Sequence, residues 1–226
     1  MTLRKRMTYA AAVSMAALLL STPAFAETEE TEAMEEDIVE ENLEEEPLVR
    51  DEFQDVSPDY FAYGAIYYLF DLGIIKGKTG QTFEPNSKLT RAEAAHLISS
   101  TLGLKASSTY ELKAKDVSKK SWAYDSLRAV EEQGLMIGNE GNIRPADSIT
   151  RAEVSVLLHR AFSYAQPTRF YSFEDVKRSS WAYDSVNILA ANGITTEAGG
   201  LFRPKALTTR GEFSLFLARS LSDEFK

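Results

Sequence analysis

Apolar side chains recur at helical spacing in short stretches of the chain, and loops that contain glycine and proline separate these stretches. Leu127, Val130 and, past a turn, Leu135 mark the buried side of one stretch. The other side of this stretch is charged: Asp125, Arg128, Glu131 and Glu132. The spacing predicts an amphipathic helix that opens at residues 121–124. Gly134 stands where a left-handed residue would end this helix.

A second kind of helix follows each loop and begins with the pattern Thr-x-x-Glu, at 90–93, 150–153 and 209–212. In such a capping box the threonine hydroxyl accepts a hydrogen bond from the glutamate amide, and the glutamate carboxylate accepts one from the threonine amide. An apolar run follows each box. The run after Glu212 is apolar on more than one side, which predicts a helix packed among others.

The same landmarks occur three times, about sixty residues apart. Six residues after an aspartate comes an aromatic residue, then a tyrosine, a glycine, a proline and a Thr-Arg-x-Glu box. The repeated positions are Asp55, Asp116 and Asp175; Phe61, Trp122 and Trp181; Gly73, Gly134 and Gly193; Pro85, Pro145 and Pro204; Arg91, Arg151 and Arg210. A fixed period predicts units that bury their apolar faces against one another.

We assign copy 1 to residues 53–112, copy 2 to 113–170 and copy 3 to 171–226. Each copy is predicted to be helix, loop, helix. Six helices with short connections predict an all-α bundle, in which one helix from each copy meets the others around a pseudo-threefold axis.

Residues 1–26 have the features of a secretory signal peptide. A basic stretch at 4–6 precedes an apolar stretch at 10–20, and Ala24-Phe-Ala26 is a cleavage pattern. An uncleaved membrane anchor is the alternative, although the apolar stretch is too short for a permanent span. After cleavage we expect no transmembrane segment. The chain has no cysteine, so its core alone must hold the fold.

The negative charge of the chain lies in residues 27–52, which hold fourteen acidic residues and one basic residue. Residues 53–226 hold 20 acidic and 21 basic residues, so the predicted folded part is nearly neutral. Dense like charge predicts an acidic disordered linker; a specific binding segment is the alternative. No basic patch of the kind that binds nucleic acid is present, so we expect no nucleic-acid partner.

The capping box explains its threonine and glutamate but not its arginine. Arg91, Arg151 and Arg210 each occupy the first helical position, where the helix dipole disfavours a cation by roughly 0.3–1 kcal/mol. One hypothesis is that a helix terminus with free amides and a guanidinium binds an anionic ligand, above all a carboxylate. The other is that each arginine pairs with an internal acid, such as the aspartates of a neighbouring copy. A ligand function predicts that Arg151→Ala weakens binding and leaves the fold intact, because the cap residues remain.

Trp122 and Trp181 also have two interpretations. Near the start of a helix they could belong to the core. Alternatively, an indole beside an arginine offers an apolar face and one N–H donor to an acidic sugar.

Signs of catalysis and of metal binding are missing from the sequence. His96 and His159 lie within predicted second helices at different distances from the box arginine. No nucleophile arrangement and no metal-ligand spacing stands out. We therefore expect no catalytic residue, no metal and no cofactor.

Taken together, the motifs resemble the S-layer homology (SLH) domain. They are the Asp-Val start, Trp-Ala-Tyr at 122–124 and 181–183, the Gly-Ile or Gly-Leu helix end, the Phe-x-Pro or Ile-x-Pro loop, and the Thr-Arg-Ala-Glu or Thr-Arg-Gly-Glu box. The resemblance covers roughly residues 53–221, and SLH modules usually come in threes.

The resemblance implies a three-pronged spindle around a central helix bundle, with ligand grooves between adjacent copies. It also implies a secreted protein held without covalent bonds on the cell wall or S-layer of a Gram-positive-type envelope. The implied partner is a secondary cell-wall polysaccharide, typically pyruvylated, whose carboxylate the box arginine reaches. The implied ligand-binding residues are Arg91, Arg151, Arg210, Asp55, Asp116, Asp175, Trp122, Trp181, Gly77 and Gly138.

Three departures from the family pattern predict unequal grooves. Phe61 replaces the tryptophan in copy 1, and Glu197 stands where the other copies have Gly77 and Gly138. Thr208 stands where Leu89 and Ile149 occur, with Leu207 one place early, which predicts a shifted loop register in copy 3.

Two other functions stay open on the sequence. One is a scaffold whose helical surface binds another surface protein. The other is a hydrolase that cleaves wall polymer through an unmarked carboxylate pair.

Deleting residues 27–50 is expected to leave binding to purified cell walls unchanged, because a solvated spacer makes no contact with the polymer. Co-sedimentation of the full and shortened chains with wall fragments measures this. A large loss of affinity in the shortened chain would show that the acidic segment binds.

Overall fold

The computed structural model describes residues 53–168, 170–171, 173–195 and 200–226. The predicted signal peptide and acidic linker, together with Glu197, lie outside these residues. The described residues form six α-helices: α1 Tyr63–Asp71, α2 Arg91–Thr101, α3 Tyr124–Glu132, α4 Arg151–Ala161, α5 Tyr183–Ala191 and α6 Arg210–Leu221. A short 3₁₀ helix, Asp223–Phe225, follows α6. The described residues form no β-strand beyond isolated bridges, so the predicted all-α class is confirmed.

The helix ends are the ones that the local sequence predicts. All three capping boxes are complete, with Thr90, Thr150 and Thr209 as N-caps. The glycines after α1, α3 and α5 have φ values of 69°, 67° and 72°, where only glycine is unstrained. Each copy is therefore a pair of sharply bounded helices.

The helices pack across the copies. The second helix of each copy packs on the first helix of the next, α2 on α3, α4 on α5 and α6 on α1. The third contact returns from copy 3 to copy 1, so the arrangement is a closed ring. We name the surfaces along these contacts groove 1/2 (α2 and α3), groove 2/3 (α4 and α5) and groove 3/1 (α6 and α1).

A triangle of backbone hydrogen bonds marks the pseudo-threefold axis. The Leu89 amide donates to the Thr208 carbonyl, the Thr208 amide to the Ile149 carbonyl and the Ile149 amide to the Leu89 carbonyl, each at 2.9 Å. All three residues are buried, and Leu89 and Ile149 belong to a hydrophobic core cluster that has residues from every copy. The triangle closes only when all three copies are in place.

The predicted shift of loop register in copy 3 is wrong. Thr208 occupies the same place in the triangle as Leu89 and Ile149, and Leu207 is exposed. The backbone bonds of the triangle fix the register, and the side chain has to follow. As a result the Thr208 hydroxyl is buried without any hydrogen-bond partner among the described residues.

None of the described helices has the length and apolar content needed to cross a membrane.

Thr208→Val is expected to raise the free energy of unfolding by about 1–2 kcal/mol, because it removes a buried unpaired hydroxyl and keeps the shape of the side chain. Chemical denaturation measures the change. The same substitution one residue later, Thr209→Val, is the control. It removes an N-cap and is expected to cost about 1 kcal/mol. Equal effects of the two substitutions would contradict the assignment of Thr208 as unsatisfied.

Candidate functional site

Three aromatic side chains at equivalent positions face solvent. Trp122 is 65% exposed, Trp181 is 67% exposed and Phe61 is 59% exposed. Each stands just before the N-cap of the first helix of its copy. Of the two interpretations of the tryptophans, core or ligand face, the core is excluded. Large apolar rings are usually buried in a folded protein, so the exposure of these three rings calls for a functional explanation.

The box arginines are buried at the contacts between copies. Arg91 donates from Nε to the Ile143 carbonyl at 2.6 Å and from Nη1 to Glu153 at 2.6 Å. Arg151 donates from Nε to the Phe202 carbonyl at 2.9 Å and lies with Nη1 3.5 Å from Glu212. Each arginine therefore reaches the loop and the capping glutamate of the next copy.

Arg210 completes the ring by reaching back to copy 1. Its Nε donates to the Phe83 carbonyl at 2.8 Å, its Nη2 donates to the Lys76 carbonyl at 3.2 Å, and its Nη1 lies 4.0 Å from Glu93. The guanidinium also lies over the Phe83 ring, 4.4 Å from its centre. Glu93 is shared, because it also bonds Lys78.

Of the two hypotheses for the arginines, the structure supports the second, in which each arginine pairs with an acidic residue of the next copy. The acid is a capping glutamate rather than the predicted aspartate. Burial lowers the pKa of Arg91 and of Arg210, while Glu153 and Glu93 oppose this shift. An arginine with these partners stays charged, so the pairs tie the copies together.

The amides at the start of the second helices are also occupied. The Arg91, Arg151 and Arg210 amides donate to the carbonyls of Asp147, Ala206 and Ser87, each at 2.9 Å. The next amide of each helix donates to a proline carbonyl of the neighbouring copy, Pro145, Pro204 or Pro85. The expectation of free amides that attract an anion is therefore wrong, because these amides donate their hydrogen bonds to carbonyls of the neighbouring loop.

The three aspartates clamp their own loops. Asp116 accepts hydrogen bonds from the Ile143 amide at 2.9 Å and the Arg144 amide at 2.7 Å. Asp55 and Asp175 bond the equivalent amides of copies 1 and 3. The second amide of each pair belongs to a non-glycine residue with positive φ, Glu84, Arg144 or Arg203. The clamp therefore holds a strained turn in place, and both carboxylate oxygens are used.

Gly77 and Gly138 allow the loop to fold tightly on itself. A Cβ at Gly77 would lie 2.3 Å from the Thr79 carbonyl oxygen, and one at Gly138 would lie 2.6 Å from the Asn142 carbonyl oxygen. Any larger residue would force these turns open. The residues before them, Lys76 and Ile137, line cavities that also contain Arg210 and Trp181 respectively.

Groove 2/3 contains a cavity of about 590 Å³ to which all three copies contribute. Arg91 comes from copy 1, Glu153 from copy 2 and Trp181 from copy 3. Arg144 lines it as well, together with two residues that the sequence analysis missed, Lys177 and Lys205. Neither lysine has an ion-pair partner among the described residues, so both are available to an anion.

Groove 1/2 has a smaller positive charge. The residues equivalent to Arg144, Lys177 and Lys205 are Glu84, Ser118 and Ala146. A cavity of about 410 Å³ on its copy 1 side is lined by Arg210, Glu93 and His96. Trp122 packs edge-on against His96, with ring centres 5.7 Å apart. The two grooves share an aromatic face but differ in charge.

Arg210, which lines the cavity of groove 1/2, and Arg91, which lines that of groove 2/3, differ in the number of guanidinium nitrogens without a protein partner. All three guanidinium nitrogens of Arg210 have protein partners. Arg91 uses Nε and Nη1, and its Nη2 has no partner in the described part of the chain. Groove 2/3 thus keeps one arginine donor available beside Trp181.

Both histidines bond a serine of the next copy. His96 Nδ1 lies 3.1 Å from Ser126 Oγ, and His159 Nδ1 lies 2.9 Å from Ser185 Oγ. Burial, with a further contribution from Arg160, lowers the pKa of His159. Within the described segments no group of three or more potential metal ligands comes together.

Comparison with protein families gives one match in each copy. The model of the S-layer homology domain matches residues 52–95, 115–155 and 172–214.

Similar proteins include surface-layer proteins and enzymes. The S-layer protein sap of Bacillus anthracis is 30% identical over 171 residues, which cover 74% of this chain and 21% of the relative. The S-layer protein EA1 of the same organism is 31% identical, over 74% of this chain and 20% of its own length. The exoglucanase XynX of Acetivibrio thermocellus is 34% identical, over 71% of this chain and 15% of the enzyme. The chain therefore spans about a fifth or less of the length of these three relatives.

Arg151→Ala is expected to lower the free energy of unfolding by about 2–4 kcal/mol, because it removes a buried cation and leaves the Phe202 carbonyl and Glu212 without it. This replaces the expectation from the sequence that the fold tolerates the substitution. Denaturant unfolding measures the loss. Arg178→Ala, at an exposed position, is the control and is expected to change stability by about 0.5 kcal/mol or less. A stable Arg151→Ala variant would show that the ring does not need this arginine.

Proposed function

The chain belongs to the S-layer homology domain family, and from that premise we propose that it anchors to the cell wall without covalent bonds by binding a secondary wall polysaccharide in its grooves. The observation that carries the proposal is the exposed indole of Trp181 beside unpaired cations in groove 2/3. Surface-layer proteins among the relatives support attachment to the cell surface.

A sugar that bears a carboxylate is the ligand class that matches groove 2/3. The Trp181 face supplies a flat apolar surface for a sugar ring. Arg91 Nη2, Lys177 and Lys205 supply cations for an acid group. A pyruvate ketal would bring both features on one ring, so we propose a pyruvylated polymer.

The proposed contributions of the implied ligand-binding residues are unequal. Trp122 and Trp181 would contact the sugar directly, and Arg91 would do so through Nη2. The remaining residues would act by holding the groove in shape, since their polar atoms bond the protein or their backbone packs tightly: Arg151, Arg210, Asp55, Asp116, Asp175, Gly77 and Gly138. This division differs from a simple model in which every box arginine binds one carboxylate.

Enzymes occur among the relatives, and each covers far more sequence than the part shared with this chain. The activities of these enzymes are therefore no guide to the shared segment. The capping glutamates of the grooves accept hydrogen bonds from the helix start, and Glu153 also pairs with Arg91, so these carboxylates are used in holding the fold. Wall binding is the function that the arrangement supports best.

Trp181→Ala is expected to weaken binding to purified cell walls by about tenfold, which corresponds to roughly 1.4 kcal/mol for one aromatic contact. Phe61→Ala is the matched control, because Phe61 is an equally exposed ring at the equivalent position of groove 3/1. We expect it to leave binding nearly unchanged. Co-sedimentation with wall fragments measures both variants.

The same assay on walls from which pyruvate has been removed tests the ligand class. Loss of binding would support the ketal as the recognised group. Undiminished binding to walls stripped of the whole polysaccharide would reject the glycan and favour a protein partner. Release of reducing ends from the polymer would favour a hydrolase.

A further inference from the structure

Groove 3/1 differs from the other grooves at two facing positions. Five residues after its aspartate, copy 1 has Tyr60 where copies 2 and 3 have Ser121 and Ser180. In the capping box that packs against it, copy 3 has Gly211 where copies 1 and 2 have alanine. A large residue on one side of the groove is thus matched by a loss of side chain on the other.

The two residues are in close contact. A Cβ at Gly211 would lie 2.4 Å from Tyr60 Oη and 2.9 Å from Tyr60 Cε1. These distances are too short for any side chain, and the nearest atoms are the hydroxyl oxygen and two ring carbons of Tyr60. Alanine at 211 and the Tyr60 ring in this position therefore exclude each other.

The Tyr60 hydroxyl lies among polar groups of copies 1 and 3. Its oxygen is 3.5 Å from the Pro85 carbonyl oxygen and 3.4 Å from Asn86 Oδ1. Burial raises the pKa of Tyr60, Glu212 raises it further, and a hydrogen bond with the Thr209 side chain acts in the opposite direction. The ring is therefore seated against the start of α6.

This seat corresponds to the open cavity of groove 2/3. The residues around Tyr60 have counterparts that line that cavity: Thr209 with Thr150, Gly211 with Ala152, Glu212 with Glu153, Pro85 with Pro204 and Asn86 with Lys205. The counterpart of Tyr60 itself is Ser180, which also lines it. Tyr60 thus occupies the place that is open in groove 2/3.

We propose that Tyr60 is a built-in plug that closes groove 3/1 to the glycan, so that this chain has two glycan grooves and uses the third contact only to close the ring. The identity of the glycan in this inference rests on the proposed function. The plug itself rests on the geometry of Tyr60 and Gly211, and the two can be tested apart.

Thermal unfolding without ligand tests the plug. Gly211→Ala is expected to lower the Tm, because the new methyl group meets Tyr60. In a Tyr60→Ser chain the same Gly211→Ala change is expected to raise the Tm, because alanine is the better helix residue and the ring is gone. This reversal of sign supports the plug. An equal Tm change in the two backgrounds would overturn it.

Tryptophan fluorescence tests which grooves bind. In a chain with Trp122→Phe, Trp181→Phe and Phe61→Trp, the introduced indole in groove 3/1 is the sole reporter. Titration with a synthetic disaccharide that carries a pyruvate ketal is expected to leave its emission unchanged. Adding Tyr60→Ser and Gly211→Ala opens the groove, and a saturable emission change is then expected. A response while Tyr60 is present would overturn the proposal.

The reverse exchange in groove 2/3 is the matched control. In a Trp122→Phe chain, Trp181 is the sole reporter, and it is expected to respond to the disaccharide. Ser180→Tyr with Ala152→Gly is expected to abolish that response. If Trp181 never responds, the proposed ligand is wrong, and the Tm reversal alone decides the plug. If Trp181 responds and the reverse exchange leaves its response intact, the plug is overturned.

Discussion

The whole molecule depends on the hydrogen bonds and ion pairs that the start of each second helix makes with the next copy. The start of each second helix has polar groups that its own copy does not satisfy. The loop of the next copy supplies the missing carbonyls, and the next capping glutamate supplies the counter-charge for the buried arginine. Because a buried arginine without partners is costly, no copy is complete alone. The triangle of backbone bonds at the axis obeys the same rule.

The features of the fold that depend on neighbouring residues could be predicted from the sequence. Capping boxes, glycine helix ends and the all-α class depend on residues within one turn of each other, and the structure contains all of them. The contacts between residues of different copies cannot be predicted from the sequence. The Thr-Arg-x-Glu spacing shows an unexplained cation, but it does not show that the acid beside Arg91 is Glu153, sixty-two residues away. The wrong prediction of a shifted register at Thr208 has the same origin, because backbone hydrogen bonds to the two other copies fix the position of this residue.

The candidate site could be predicted in part. Comparison of the three copies identifies the exposed rings and the arginines, since both recur at fixed positions. It does not reveal burial, and so it could not tell a structural arginine from a binding one. Lys177 and Lys205 were missed because they do not repeat. The same asymmetry separates the grooves: one is rich in unpaired cations, one is less charged, and one is filled by a tyrosine. Repetition therefore identifies the scaffold, and the departures from repetition differentiate its surfaces.

Closure of the ring changes how the protein can come apart. Stacked linear repeats have end units that can fray and need special capping sequences. Here the contact of α6 with α1 joins copy 3 to copy 1, so the loss of any one copy leaves an unsatisfied helix start on one neighbour and unsatisfied loop carbonyls on the other. We therefore expect the three copies to unfold together rather than by gradual unravelling from one terminus. For the proposed attachment to the wall, such cooperativity would keep every groove in shape until the whole ring opens.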